Sequence, residues 1–229
     1  MYDGKCFLKV DRKFSAYYDH TNPDKPTLEE FIPLLLWIYI HCLGWQGADY
    51  GTYKGTLKEM ALGLGYAGEN SGQFKRLRKT LQAMQEEELI TDKTLGNPIE
   101  SGKLRPTDFL TIQFNKVAFT SSKNFVMADD YTVKRLFAAK TSLIDRNATV
   151  KIINFWFAMS CTVFGNTGRA CSHKRLRKTL GKHDITLHGC FHVLREMGLF
   201  SRKKIFNADG NAQWIYYAGA TPIDLGESV

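Results

Sequence analysis

No Cys-x-x-Cys pair occurs in this 229-residue chain, and its five cysteines (Cys6, Cys42, Cys161, Cys171 and Cys190) are odd in number and far apart. That spacing excludes a zinc ribbon or a disulfide framework and fits a reducing, cytoplasmic setting. There is no G-x-x-x-x-G-K-S/T loop, so nothing points to an ATPase. His-Glu-x-x-His is missing, as is a pair of histidines around an apolar residue. The adjacent Tyr17, Tyr18 and His20 therefore do not read as a metal-assisted DNA-nicking centre, and we expect no enzyme, cofactor or metal. The longest apolar run, Phe31 to Leu43, contains Pro33 and His41 and is too short to span a bilayer. No basic segment with an apolar core follows Met1, so neither a signal peptide nor a membrane partner is expected. Acidic residues are the minority, 23 against 31 Lys and Arg, leaving a formal net charge of +8. A basic excess of this size favours a polyanionic partner, with solubility as the competing explanation.

What is present is organised around residues 56–90. Thr56 caps a short helix over 57–64, a glycine-rich turn follows, and Ser71 caps a long helix over 71–88. Phe74, Leu77, Leu81 and Met84 are spaced 3, 4 and 3, one apolar stripe of a 3.6-residue helix. Lys75, Arg78, Lys79 and Gln82 share another side. Such a helix docks through one face and offers cations on the other. Its N-terminal half would enter a major groove, with Gln73, Lys75, Arg76, Arg78 and Lys79 meeting phosphates and base edges. The competing reading is a solvated charged face. Upstream, residues 5–10 read as a strand, and Thr27 with Glu30 as a capping box opening a helix over 28–43. Gly44 to Gly55 reads as a loop. Downstream, Leu89–Thr91, a polar loop over 92–107 carrying Lys103 and Arg105, and a strand over 108–114 have the shape of a wing.

The same grammar returns after a connector. A helix from Tyr131 to about Leu143 and an apolar helix over 148–164 precede a basic helix, Ser172 to Leu180. A helix from Thr186 to Met197 then leads into a hairpin, 199–206 and 213–217. The string KRLRKTL occurs at 75–81 and again at 174–180. The first copy lies in the helix just before its hairpin and the second lies one helix earlier, so the identity is convergence on a basic amphipathic helix rather than duplication. Here His173, Lys174, Arg175, Arg177 and Lys178 would cross the backbone, with Lys182 in the turn. His188, His192 and Arg195 occupy the reading helix with Thr186, and Lys203 and Lys204 lie at the wing.

Three patterns are read blandly. Gly63 to Gly68 matches G-x-G-x-x-G, but LKEMAL before it has a helical period, so the glycines are turn residues and not a dinucleotide cradle. His188, His192 and Glu196 recur every four residues, yet no third ligand is fixed by spacing, so they are surface groups rather than a metal site. Glu29–Glu30 and Asp129–Asp130 fit helix starts, where carboxylates favour the macrodipole.

Phe7-Leu8-Lys9-Val10-Asp11-Arg12-Lys13 before a long apolar helix, then TLKEMALGLGY, then a basic helix ending in Glu-Leu-Ile make residues 5–115 resemble the winged-helix domain of bacterial replisome organisers of the DnaD type. The doubled plan resembles the tandem winged-helix replication initiators of plasmids and phages. The resemblance does not extend to the separate helical C-terminal domain of the organisers. It implies a mainly α fold with small β-hairpins (α+β) and two winged helix-turn-helix domains in tandem, at 1–118 and 131–229, joined by a connector at 119–130. It also implies a non-enzymatic protein that binds double-stranded DNA in replication initiation or maintenance, with replication proteins or self-association as further partners. A transcription regulator of the same fold is the alternative, and a protein-interaction module that binds no DNA is a third reading.

Overall fold

The structure, a computed structural model, describes residues 7–24, 26–43, 51–67, 71–115, 124–139, 148–163, 169–170, 173–206 and 212–218. It is a mixed α+β fold of short helices and small antiparallel sheets. In chain order these are β1 (Phe7–Asp11), a 3-10 turn (Arg12–Tyr17), α1 (Phe31–Leu43), β2 (Thr52–Thr56), α2 (Leu57–Gly63), α3 (Ser71–Glu86), β3 (Ile90–Asp92) and β4 (Phe109–Phe114). They continue as β5 (Phe125–Asp129), α4 (Asp130–Ala138), α5 (Ala148–Thr162), β6 (Arg169–Ala170), α6 (His173–Leu180), α7 (Asp184–Glu196), β7 (Phe200–Phe206) and β8 (Ala212–Ala218).

Two three-stranded sheets, β2-β4-β3 and β6-β8-β7, and one β1–β5 pair account for the described strands. The side-chain period of two explains β4, where Leu110, Ile112 and Phe114 point inward and Phe109 stays exposed. The apolar helices α1 and α5 pack against each other. Phe31, Leu34 and Ile38 of one and Ile152, Phe155 and Phe157 of the other are essentially inaccessible, and both belong to one continuous buried cluster.

The first long helix begins three residues later than the capping-box reading requires. Pro33 has no N–H, and in a helix starting at Leu28 it would have to donate to Glu29. Instead α1 starts at Phe31, with the Glu30 carbonyl accepting from the Leu34 N–H at 2.8 Å. The Glu30 side chain is thereby freed for other partners. A capping box does form at α2, where Thr56 accepts from the Glu59 N–H and the Glu59 carboxylate accepts from the Thr56 N–H. Asp129 likewise caps α4 through the Thr132 N–H, as the Asp129–Asp130 reading expects.

Two further elements differ from expectation. Thr52–Thr56, read as the end of a loop, is a strand paired with β4, and Phe125–Asp129, read as connector, is a strand paired with β1. Neither has a long local period, and each is fixed by a partner far away in sequence. Ser71 is the first residue of α3 rather than its cap, and α7 opens at Asp184, two residues before Thr186. Helix α4 ends at Ala138 with Ala139 already extended, which is short of the expected end, and the rest of the stretch to Leu143 lies outside the described residues. So does the expected turn at 207–211.

Helices α2, α3 and α7 end alike. In each, a left-handed residue lets the following N–H reach back five residues: Tyr66 to the Ala61 carbonyl, Leu89 to Met84 and Leu199 to Leu194, all at 2.9 Å. Gly65 and Gly198 hold that position in α2 and α7, at φ 79° and 68°, whereas α3 uses Glu88 at φ 58°. The first two glycines of the G-x-G-x-x-G match thus close a helix, and Gly68 lies outside the described residues. Gly63 is required for a different reason, because a Cβ there would run into the Trp37 ring.

Candidate nucleic-acid interface

Helix α3 buries the expected stripe: Phe74, Leu77, Leu81 and Met84 are inside, with Thr80. Its cations divide into two kinds. Arg76 donates from Nε to Glu30 Oε1 at 2.7 Å, and that carboxylate is 3 % exposed. The Tyr66 hydroxyl donates to the same oxygen at 2.6 Å. Burial opposes the Arg76 charge, but the hydrogen bond and charge of Glu30 outweigh it and leave the guanidinium pKa above its ordinary value. Burial, then the Glu30 charge, also hold the Tyr66 phenol well above its usual range. Arg78 donates from Nε to the Leu104 carbonyl at 2.6 Å, and Gln82 from Nε2 to the Ile99 carbonyl at 3.1 Å. The loop over 93–108 therefore lies back on α3 instead of projecting, with Ile99 and Leu104 both 2 % exposed.

Lys75 and Lys79 fill the strip between these two attachments. At 100° per residue they lie between the Arg78 side and the Arg76 side of the helix. Both are exposed and have no ion pair to any described residue. Lys103 and Arg105, exposed on the loop, flank the Leu104 carbonyl that Arg78 holds. Gln73 is half-buried at the start of α3.

The second basic helix docks beside the start of α1. The His20 N–H donates to the Thr179 carbonyl at 2.9 Å, and Lys182 Nζ meets Glu29 Oε1 at 2.6 Å. His20 Nε2 lies 3.1 Å from the same oxygen. Leu176 and Leu180 are buried while Lys174, Arg175, Arg177 and Lys178 are exposed. Arg177 pairs with Asp184 at 3.3 Å. Lys174, Arg175 and Lys178 line an open depression with Asp19, Thr21 and Thr179. The side chain of His173 lies outside the described residues.

Compared with family models, curated proteins and solved structures, the chain matches none. Its chemistry therefore rests on its own geometry. On α7, His188, His192 and Arg195 are exposed, and His192 Nδ1 sits 3.5 Å from Glu196 Oε1. Among the described residues no three His, Cys, Asp or Glu side chains converge as a metal site would require. On β7, Lys203 and Lys204 are exposed. Arg202, which the sequence does not single out, lies between the Phe191 and Trp214 rings, its guanidinium 4.5 and 4.2 Å from their centroids. Period two could have flagged it, since Phe200 and Arg202 share a face of the strand.

The roles of Glu29, Glu30, Arg76 and Arg78 as holders of the fold were hidden from sequence reading. Their partners lie 153, 46 and 26 residues away. The one local sign was Pro33, which removes Glu30 from a capping box and leaves its carboxylate without that use.

Proposed function

We propose that the chain is a non-enzymatic double-stranded DNA-binding protein, built of two winged-helix units in tandem and serving replication initiation or maintenance of a plasmid or phage. One observation carries this reading. An amphipathic helix, α3, exposes Lys75 and Lys79 directly ahead of a β3–β4 hairpin whose loop exposes Lys103 and Arg105. Lysines held on a rigid helix meet phosphates as point charges and set register on the duplex. Arg76 and Arg78 are each fixed through Nε, to Glu30 and to the Leu104 carbonyl, and Arg76 stays half-exposed beside the lysines.

The test is duplex binding followed by fluorescence anisotropy across salt concentrations. Each neutralised phosphate contributes about 0.9 to the slope of log K against log salt, so replacing Lys75 and Lys79 by alanine should lower the slope by about 1.8. An unchanged slope would show that α3 does not face the backbone. Footprints at an origin or at a promoter separate replication from the transcription-regulator alternative.

The interaction-module reading draws on a different observation. Met127 in the middle of β5 and Tyr131 in the first turn of α4 are 55 % and 64 % exposed. Absence of binding to any duplex at low salt would favour that reading.

A further inference from the structure

Glu29 and Glu30 are consecutive, yet they hold groups from the two different halves of the chain. Glu30 takes Arg76 of α3, and Glu29 takes Lys182 from the turn after α6, at 2.7 and 2.6 Å. Around this pair the contacts are dense. His20 also meets Glu29, the Glu29 carbonyl accepts from Asn154 Nδ2 of α5 at 2.8 Å, and Thr179 of α6 bonds the His20 N–H. A Cβ on Gly181 would come within 2.8 Å of the His20 ring. The N-terminal half of α3 and the C-terminal end of α6 are therefore anchored to neighbouring residues of one short segment. Both glutamates at the joint are engaged by cations, while the Asp19 carboxylate, which accepts from Thr21, lies in the depression that Lys174 and Lys178 line.

We infer that α3 and α6 form one composite phosphate-binding surface that engages a single continuous duplex, with Glu29 and Glu30 fixing the two helices relative to each other. This rests on the duplex-binding reading above and adds to it. Two winged-helix units on a flexible connector would each take their own stretch of DNA and would gain from linkage only through effective concentration. A fixed joint instead presents Lys75 and Lys79 with Lys174 and Lys178 as one pre-arranged set, which lowers the ordering cost of binding.

The experiment uses the full chain and a duplex of about 15 base pairs, about 50 Å long at 3.4 Å per base pair. Stoichiometric titration should give one duplex per chain. Changing Lys75 and Lys79 to alanine, or Lys174 and Lys178 to alanine, should each lower the salt slope on that duplex by about 1.8, and all four together by about 3.6. All four lysines are exposed, so thermal melts of the variants should overlay the parent and exclude misfolding as the cause. Two duplexes bound per chain, or one lysine pair whose removal leaves the slope untouched while the other lowers it, would overturn the composite surface and leave duplex binding standing. A parent protein that binds no duplex at low salt would overturn the duplex-binding reading itself.

Discussion

The two helix-and-hairpin units, α3 with β3–β4 and α7 with β7–β8, share a framework and differ in what is laid over it. Each helix closes on a left-handed residue, followed by Leu and a strand: Glu88, Leu89 and Ile90 in the first, Gly198, Leu199 and Phe200 in the second. In the first unit, three-residue β3 gives way to a long loop that Arg78 and Gln82 hold against the helix. In the second, β7 and β8 run in register over seven residues, from Phe200 opposite Ala218 to Phe206 opposite Ala212. The cations of the KRLRKTL string follow the difference. They sit on the unit's own helix in the first and on the preceding helix in the second. The framework is set by backbone hydrogen bonds and apolar contacts, which leaves surface charge free to move between helices without disturbing the fold.

The sharpest way to break the comparison is at Arg76, which ties α3 to a buried carboxylate 46 residues away. Arg76→Ala leaves the buried Glu30 carboxylate without its cation and with the Tyr66 hydroxyl as its remaining donor. Removing one partner of a fully buried pair costs about 3–5 kcal/mol, and the half-exposed guanidinium reduces this to about 2–3 kcal/mol. Denaturant unfolding would register it, and Arg76→Lys should restore only part, because the planar fork is lost.

Next in size is Asp92, which starts the long loop. The residue is 5 % exposed, and its carboxylate accepts from the Thr94 and Ile99 N–H groups at 2.9 and 3.2 Å. Asp92→Ala should cost about 2 kcal/mol by leaving buried donors unmet. It should also raise hydrogen exchange over 93–104 while leaving β7 and β8 unchanged. Equal exchange in both hairpins would mean that the loop is not separately held.

A smaller and reciprocal effect tests the shared helix ending. A non-glycine residue in the left-handed region carries a penalty of about 1 kcal/mol. Glu88→Gly should therefore raise stability by about that amount and Gly198→Ala should lower it similarly, both read as shifts in the unfolding midpoint. Opposite signs at the two sites are the signature of one motif filled two ways.

The smallest effect concerns thiols. Burial pushes Cys161 and Cys190 up to about 12, so both should react slowly with a thiol reagent at pH 8 and quickly once the chain is unfolded. Fast labelling of native Cys190 would mean that α7 opens readily from the core.

Local patterns were legible where they carried their own period. The stripe Phe74, Leu77, Leu81 and Met84, the cap at Thr56, the start of α4 at Asp129 and the Gly198 stop all read directly from spacing. The offset between the two KRLRKTL copies was legible too, and the structure has them in α3 and α6, helices of different rank in their units. The charged face of α3 was legible only as a face. Four cations in one helical turn look equivalent on paper, but two of them answer to partners outside that turn. The same holds for β2 and β5, short segments made into strands by β4 and β1. Electrostatic partners and ladder partners at long range leave no local mark, apart from a proline that makes the expected alternative impossible.

The β1–β5 pairing has a practical consequence for cutting the chain. Leu8 and Val10 lie opposite Ala128 and Val126, and all four side chains are buried. A fragment ending at residue 118 would strip β1 of its ladder and expose that face. A piece meant to fold without the C-terminal portion should run at least through Ala138, so that β5 and α4 travel with the strand they complete.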